Sequence, residues 1–351
     1  MSRARPLSPP RRLNGGVSAR RRQRGVALLV AILLVALGTI IAATMAYNNA
    51  MTARRAAATF EFDQAVLAAE GAEAFAAYGL QQQFKQNQQQ NPAYTYPGQG
   101  WGQAMGPTQV TPGVMLEGSL QDLQGRFNVN DLVGTDGETP NTVAIKAFQQ
   151  LLQLLGMDPK WADYIVDWID KDTNPMFPDG AEDSVYMEMN PPYRTPNLPI
   201  SSTSELLALP GFTRADFDRL SPYIVALPPG VLTPINTCSA SPYVLDALIG
   251  HVQFSADPKQ FEKDRQDSGT CFPTPAQVIQ AAGDVQAQNG NPTPGTPGTT
   301  QTLATLLGGK SSWFRLTTFV TLGNAEFSVY TLLYQDPTGM VRPVMRSFTP
   351  D

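Results

Sequence analysis

The densest chemistry in the chain lies in DYIVDWIDKDTNPMFPDGAEDSVY, residues 163–186, which carries Asp163, Asp167, Asp170, Asp172, Asp179, Glu182 and Asp183. The first three stand at i, i+4 and i+7, along one helix face, where like charges repel and need an offset. Asp170-x-Asp172 then opens a Pro-interrupted loop, Gly180 permits a sharp turn, and Glu182-Asp183 follow. Hard carboxylate oxygens crowded on a loop suit Ca2+, which takes about six to eight oxygens in flexible geometry. The D-x-[DN]-x-[DN]-G register of an EF-hand is absent. A solvated acidic helix end explains the same pattern without a cation. A catalytic metal fits less well, because no His ligand or evident base lies nearby in sequence.

The remaining chemistry is sparse. His251 is the one histidine, and neither H-E-x-x-H nor a phosphate-cradling G-x-x-x-x-G-K occurs. These absences argue against an enzyme. ELLALPGFTRADFDRLSPYI, residues 205–224, has the helix–Pro-Gly–helix look of a helix-hairpin-helix, which grips phosphate with backbone amides and basic residues. Its second helix offers Arg214 and Arg219 but also Asp216 and Asp218. Cys238 and Cys271 read as one disulfide if their compartment is oxidising, and as two buried thiols if it is not.

What must position these groups begins with RRQRGVALLVAILLVALGTIIAATMA, residues 21–46. The uncharged run from Val26 to Ala46 reaches roughly 30 Å as a helix, the thickness of a bilayer core. It is longer than a secretory signal's apolar region, although Thr44-Met45-Ala46 is a weak match to a signal cleavage site. Residues 1–25 hold eight Arg and no acidic residue, a flank that stays cytoplasmic, so the C-terminal bulk is expected outside. Taking those eight from the chain's 25 basic residues leaves 17 against 30 acidic ones, a charge of −13. Such a surface repels nucleic acid.

No proline interrupts residues 47–91, and the segment is rich in Ala, so the apolar helix should continue for many turns. Phe60, Leu67 and Tyr78 fall within about 20° of one another around it, with Phe75 about 60° away. That face packs either on the protein's own domain or on neighbouring subunits. A Gln-, Gly- and Pro-rich stretch (84–113) and a Pro/Gly/Thr stretch (283–310) read as linkers. Residues 114–132 can supply early strands. WFRLTTFVTLG, EFSVYTLLYQD and VRPVMRSF, within 311–351, read as a three-stranded antiparallel meander. Helical patterns fill 133–282, where Asn236 and Thr237 are candidate N-caps. The fold class is α+β.

A basic leader ending in Arg24-Gly25, followed at once by an apolar helix that turns amphipathic, resembles a type IV pilin-like signal. The resemblance implies cleavage between Gly25 and Val26 by a prepilin peptidase, methylation of the new N-terminus, and retention of the helix, with residues 26–46 transmembrane and the helix reaching about residue 83. Most such proteins carry Glu at the fifth mature position, where this chain has Val30. A carboxylate in hydrocarbon is costly without a partner, so an apolar residue there suits a subunit with nothing ahead of it. DLQGRFNVNDL (122–132), DWIDKD (167–172), GAED (180–183), PYRTPN (192–197) and TPINTCSA (233–240) stand in the order shown by the K minor pseudopilins of type II secretion. The chain is similar to that family.

The resemblance implies a pseudopilin fold with an inserted helical subdomain and a structural, non-enzymatic role in starting and capping a periplasmic pseudopilus. It implies an inner-membrane subunit whose partners are the I and J minor pseudopilins, the major pseudopilin and the peptidase. It also implies Ca2+ in the acidic loop, with Asp170, Asp172, Asp179, Glu182 and Asp183 as ligands and Asp167 as a weaker candidate. The alternative is a membrane-anchored DNA-uptake pseudopilin using the helix-hairpin-helix.

Overall fold

The computed structural model describes residues 23–230, 232–288 and 300–349. The leader, apart from its last three residues, and residues 289–299 of the second expected linker lie outside these. The chain falls into two units, divided between Asp63 and Gln64.

The first unit is the N-terminal part of α1 (Gln23–Asn87). Its side chains from Val26 to Ala50 are all exposed, and this is the one helix among the described residues long and apolar enough to cross a membrane.

In the second unit α1 buries Ala65, Ala69, Ala72, Ala76 and Leu80, spaced three or four apart. These side chains are small, so the helix axis can lie close to the sheet beneath. They pack on Leu116, Phe314, Leu316, Val320 and Leu333. Three large residues of the helix face outward: Leu67 is 67%, Phe75 64% and Tyr78 60% exposed. Packing of that aromatic face on the chain's own domain, one of the two readings of the pattern, is therefore not what the structure shows.

The sheet is formed by β1 (Met105–Thr111), β2 (Val114–Asp122) and, after a long insertion, β7, β8 and β9 (below). Its order is β1-β2-β7-β8-β9, and every pairing is antiparallel. The insertion contains β3 (Phe127–Asn128), α2 (Thr142–Leu154), α3 (Trp161–Ile169), α4 (Asp183–Tyr186), α5 (Arg214–Leu220), β4 (Ile224–Val225), β5 (Ile235–Asn236), α6 (Pro242–Ile249), α7 (Pro258–Ser268), α8 (Pro275–Gln288), α9 (Thr300–Leu306) and β6 (Leu307–Gly308). The chain then returns through β7 (Trp313–Leu322), β8 (Ala325–Gln335) and β9 (Val341–Ser347). Strict alternation of buried and half-buried residues along β7 gives the sheet one core face. The insertion has its own core around Phe148, Leu151, Ile165, Leu206 and Leu220.

Three expected boundaries move. Residues 84–113 are not a linker: α1 runs to Asn87, Trp101 is buried against Phe314, and β1 pairs with β2. The early strands end at Asp122 rather than at residue 132, because β3 pairs in parallel with β4 inside the insertion. Within 283–310, α8 extends to Gln288, and α9 and β6 occupy 300–308.

The disulfide joins Cys238 to Cys271, and both cysteines are buried. Asn236 does not cap a helix. Its side-chain amide donates to the Thr95 carbonyl, to Asp122 and to Ser311, and the cap of α6 is Ser241.

Candidate metal centre and its neighbours

The acidic segment folds around the end of α3. Asp163 and Asp167 lie in α3 and are buried, and Asp170 caps its C-terminus in extended backbone. Asp167 accepts the Met176 N–H at 2.9 Å, and burial pushes its carboxyl up to about 7. It is thus the internal brace of the loop. Gly180 is needed here for space: a Cβ would overlap the Met176 backbone and the Asp167 carboxylate.

The loop brings Asp170, Asp172 and Glu182 together, one carboxylate oxygen of each lying within 4.8 Å of the others. Asp170 and Glu182 are buried and Asp172 is exposed. Glu182 occupies the N-cap position of α4, yet its side chain does not cap the helix. Asp170 Oδ1 and Glu182 Oε1 are buried without any hydrogen-bond partner. Burial, then the neighbouring carboxylates, push Asp170 up to about 6 and Glu182 up to about 7. Two orphaned oxygens beside a third carboxylate form an anionic pocket whose cost a hard divalent cation offsets. The donor set fits Ca2+.

The other expected ligands are placed differently. Asp183 stands beside Glu182, because Thr195 Oγ1 reaches both at 3.2 and 3.4 Å, but its second oxygen pairs with Arg194 at 3.4 Å. Asp179 is exposed, and its backbone and charge act on Asp163 instead of joining the trio. Asn197, which closes PYRTPN, is a neighbour of this set that the carboxylate pattern does not reveal. Its Nδ2 donates to the Asp172 carbonyl at 2.9 Å, its backbone is left-handed (φ 47°), and its Oδ1 is buried without a partner.

The helix-hairpin-helix segment has little to offer phosphate. Arg214 pairs with Asp218 at 2.8 Å, Arg219 reaches the Gly156 carbonyl, and Asp216 is locked in a capping box with Thr213.

In the second unit α1 lays its alanine face on the antiparallel sheet, and a helical insertion separates the early and late strands of that sheet. Residues 125–229, the first part of that insertion, match the family model described as type II secretion system (T2SS), protein K. The type II secretion system protein K of Pseudomonas aeruginosa is 35% identical over 248 residues, covering 69% of this chain and 72% of the relative. That of Pectobacterium carotovorum subsp. carotovorum is 31% identical over 325 residues, 90% of this chain and 93% of the relative. The fold matches one chain of the GspK-GspI-GspJ complex from the enterotoxigenic Escherichia coli type 2 secretion system with a TM-score of 0.65 and 21% identity, over 85% of this chain and all of that one. The chain belongs to the type II secretion system protein K family. It is a minor pseudopilin, a structural component of that system, and neither the fold nor these relatives support the DNA-uptake alternative.

Proposed function

We propose that the chain is cut between Gly25 and Val26, methylated at Val26, and held in the inner membrane by residues 26–46 with the folded unit in the periplasm. It then joins I- and J-type minor pseudopilins through α1, with which it starts the pseudopilus and caps its tip above the major pseudopilin. The observation that carries this reading is the outward aromatic face of α1. A helix that buries alanines in its own domain and presents Leu67, Phe75 and Tyr78 to solvent is built to bury them against another subunit. Val30, in place of an acidic residue, needs no charge partner from a subunit ahead, as suits the tip. The role is structural rather than catalytic.

Ca2+ is the proposed resident cation, held by Asp170, Asp172 and Glu182, with Asn197 close by. Its contribution is charge neutralisation that stiffens the loop between α3 and α4. Asp179 and Asp183 are secondary to this set.

The test is co-purification with the I and J subunits. Leu67→Glu and Phe75→Glu alter exposed positions, so the unit should keep its fold by circular dichroism while assembly is lost. Normal assembly of both folded variants would refute the role of this face.

A further inference from the structure

The apolar run ends at Ala46, and two adjacent arginines follow, Arg54 and Arg55. Both are exposed on α1, and neither guanidinium takes part in an ion pair or hydrogen bond among the described residues; the Arg55 carbonyl accepts from Thr59 Oγ1. Tyr47, 66% exposed, stands immediately beyond the run. Arg54, seven residues on, lies within about 20° of it around the helix. At 1.5 Å per residue the Arg54 Cα is roughly 12 Å past Ala46, whereas the headgroup layer of a bilayer is roughly 5–8 Å deep. Helical side chains lean toward the N-terminus, which here is toward the bilayer, and a long arginine stem covers the difference. The nearest carboxylate further along α1, Glu61, is roughly 9 Å beyond Arg55 along the axis, on the side away from that lean.

We infer that Arg54 and Arg55 form a lipid-headgroup site at the end of the span opposite the leader, where their guanidinium groups hold the phosphates of anionic phospholipids. With Tyr47 as the interfacial ring, the pair fixes how far α1 rises from the bilayer before the folded unit begins. This rests on the membrane-anchor reading above.

The test uses the full chain reconstituted in phosphatidylcholine vesicles doped with spin-labelled phosphatidylglycerol or spin-labelled phosphatidylcholine. The motionally restricted signal gives the preference of the protein's lipid shell for the anionic headgroup. The leader arginines are present in every sample, so a difference between variants reports on the pair. Arg54→Gln/Arg55→Gln should lower the preference about twofold, and Arg54→Lys/Arg55→Lys should retain most of it. An unchanged preference in the Gln variant, with the chain still resistant to alkaline carbonate extraction, overturns the headgroup site and leaves the anchor standing. A wild-type chain that carbonate extracts sinks the anchor and the site together.

Discussion

Arg346 on β9 grips Glu73 of α1 with two hydrogen bonds of 2.7 Å, Nε to Oε1 and Nη2 to Oε2. Glu73 is buried, and Thr331 Oγ1 donates to its Oε1 at 2.8 Å. Glu70, one turn earlier, adds a contact to Arg346 at 3.4 Å. The pair fastens the helix to the last strand of the sheet. Arg346→Ala leaves a buried carboxylate without its cation. Because Arg346 is partly exposed, the expected loss is about 1–3 kcal/mol, smaller than for a fully buried pair. Denaturant unfolding of the full chain in detergent checks it, and Glu73→Gln, which keeps an acceptor for Thr331, should cost less than Arg346→Ala.

With Ca2+ as the proposed ligand of Asp170, Asp172 and Glu182, chelation should loosen the acidic loop. Chelation of wild-type protein is expected to lower the melting temperature, with saturating Ca2+ restoring about 2–3 kcal/mol at a hundredfold excess over Kd. Asp170→Asn/Glu182→Gln should lose this response. Its chelated form should be no less stable than chelated wild type, because the amides relieve the repulsion among the three carboxylates. A double variant that still responds fully to Ca2+ would place the ion elsewhere.

The disulfide should contribute about 4 kcal/mol on the loop-entropy model, since it spans 33 residues. Cys238→Ser/Cys271→Ser is expected to lose stability of that order. Both sulfurs are buried, so alkylation after reductant treatment of the native protein should track unfolding rather than reductant concentration.

Asp131 gives a pH dependence. It accepts the Thr233 N–H at 2.9 Å, and burial pushes it up to about 7. Asp122, also buried, is raised for the same reason, despite hydrogen bonds from Ser239, Ser311 and Asn236. A raised folded-state pKa means that the native state binds more protons than the unfolded state between about pH 4 and 7. The stability from this source is present at the acidic end of that window and is lost as pH rises through it. Asp131→Asn should remove most of the fall in stability that this group causes between pH 4 and 7, up to about 4 kcal/mol across the window. Parallel wild-type and variant curves would show that Asp131 does not titrate there.

Much of this architecture is legible in the residues because it rests on local pattern. The meander β7–β9 follows from β-branched alternation and from turns at Gly323 and Gly339, both left-handed. The end of α2 follows from Gly156, left-handed at φ 67°. What was not legible depends on contacts distant in sequence. Residues 84–113 look like a linker because their polar composition hides Trp101, which is ordered by Phe314, and β1, which is ordered by β2. The buried face of α1 was obscured because alanines carry little hydrophobic signal, whereas its large aromatics serve an outside surface. The acidic loop announced its chemistry, but a count of carboxylates could not separate the brace, Asp167, from the candidate ligands, or reveal Asn197 beside them.

On the proposed function the apolar helix is kept while the arginine leader is removed at Gly25. Intact mass and N-terminal fragmentation of the membrane-extracted protein test it most directly. The expected product is a chain beginning at Val26 and carrying one N-methyl group, with Gly25→Leu left unprocessed. A mature chain that starts beyond Ala46, or one that still carries its leader arginines, would contradict it.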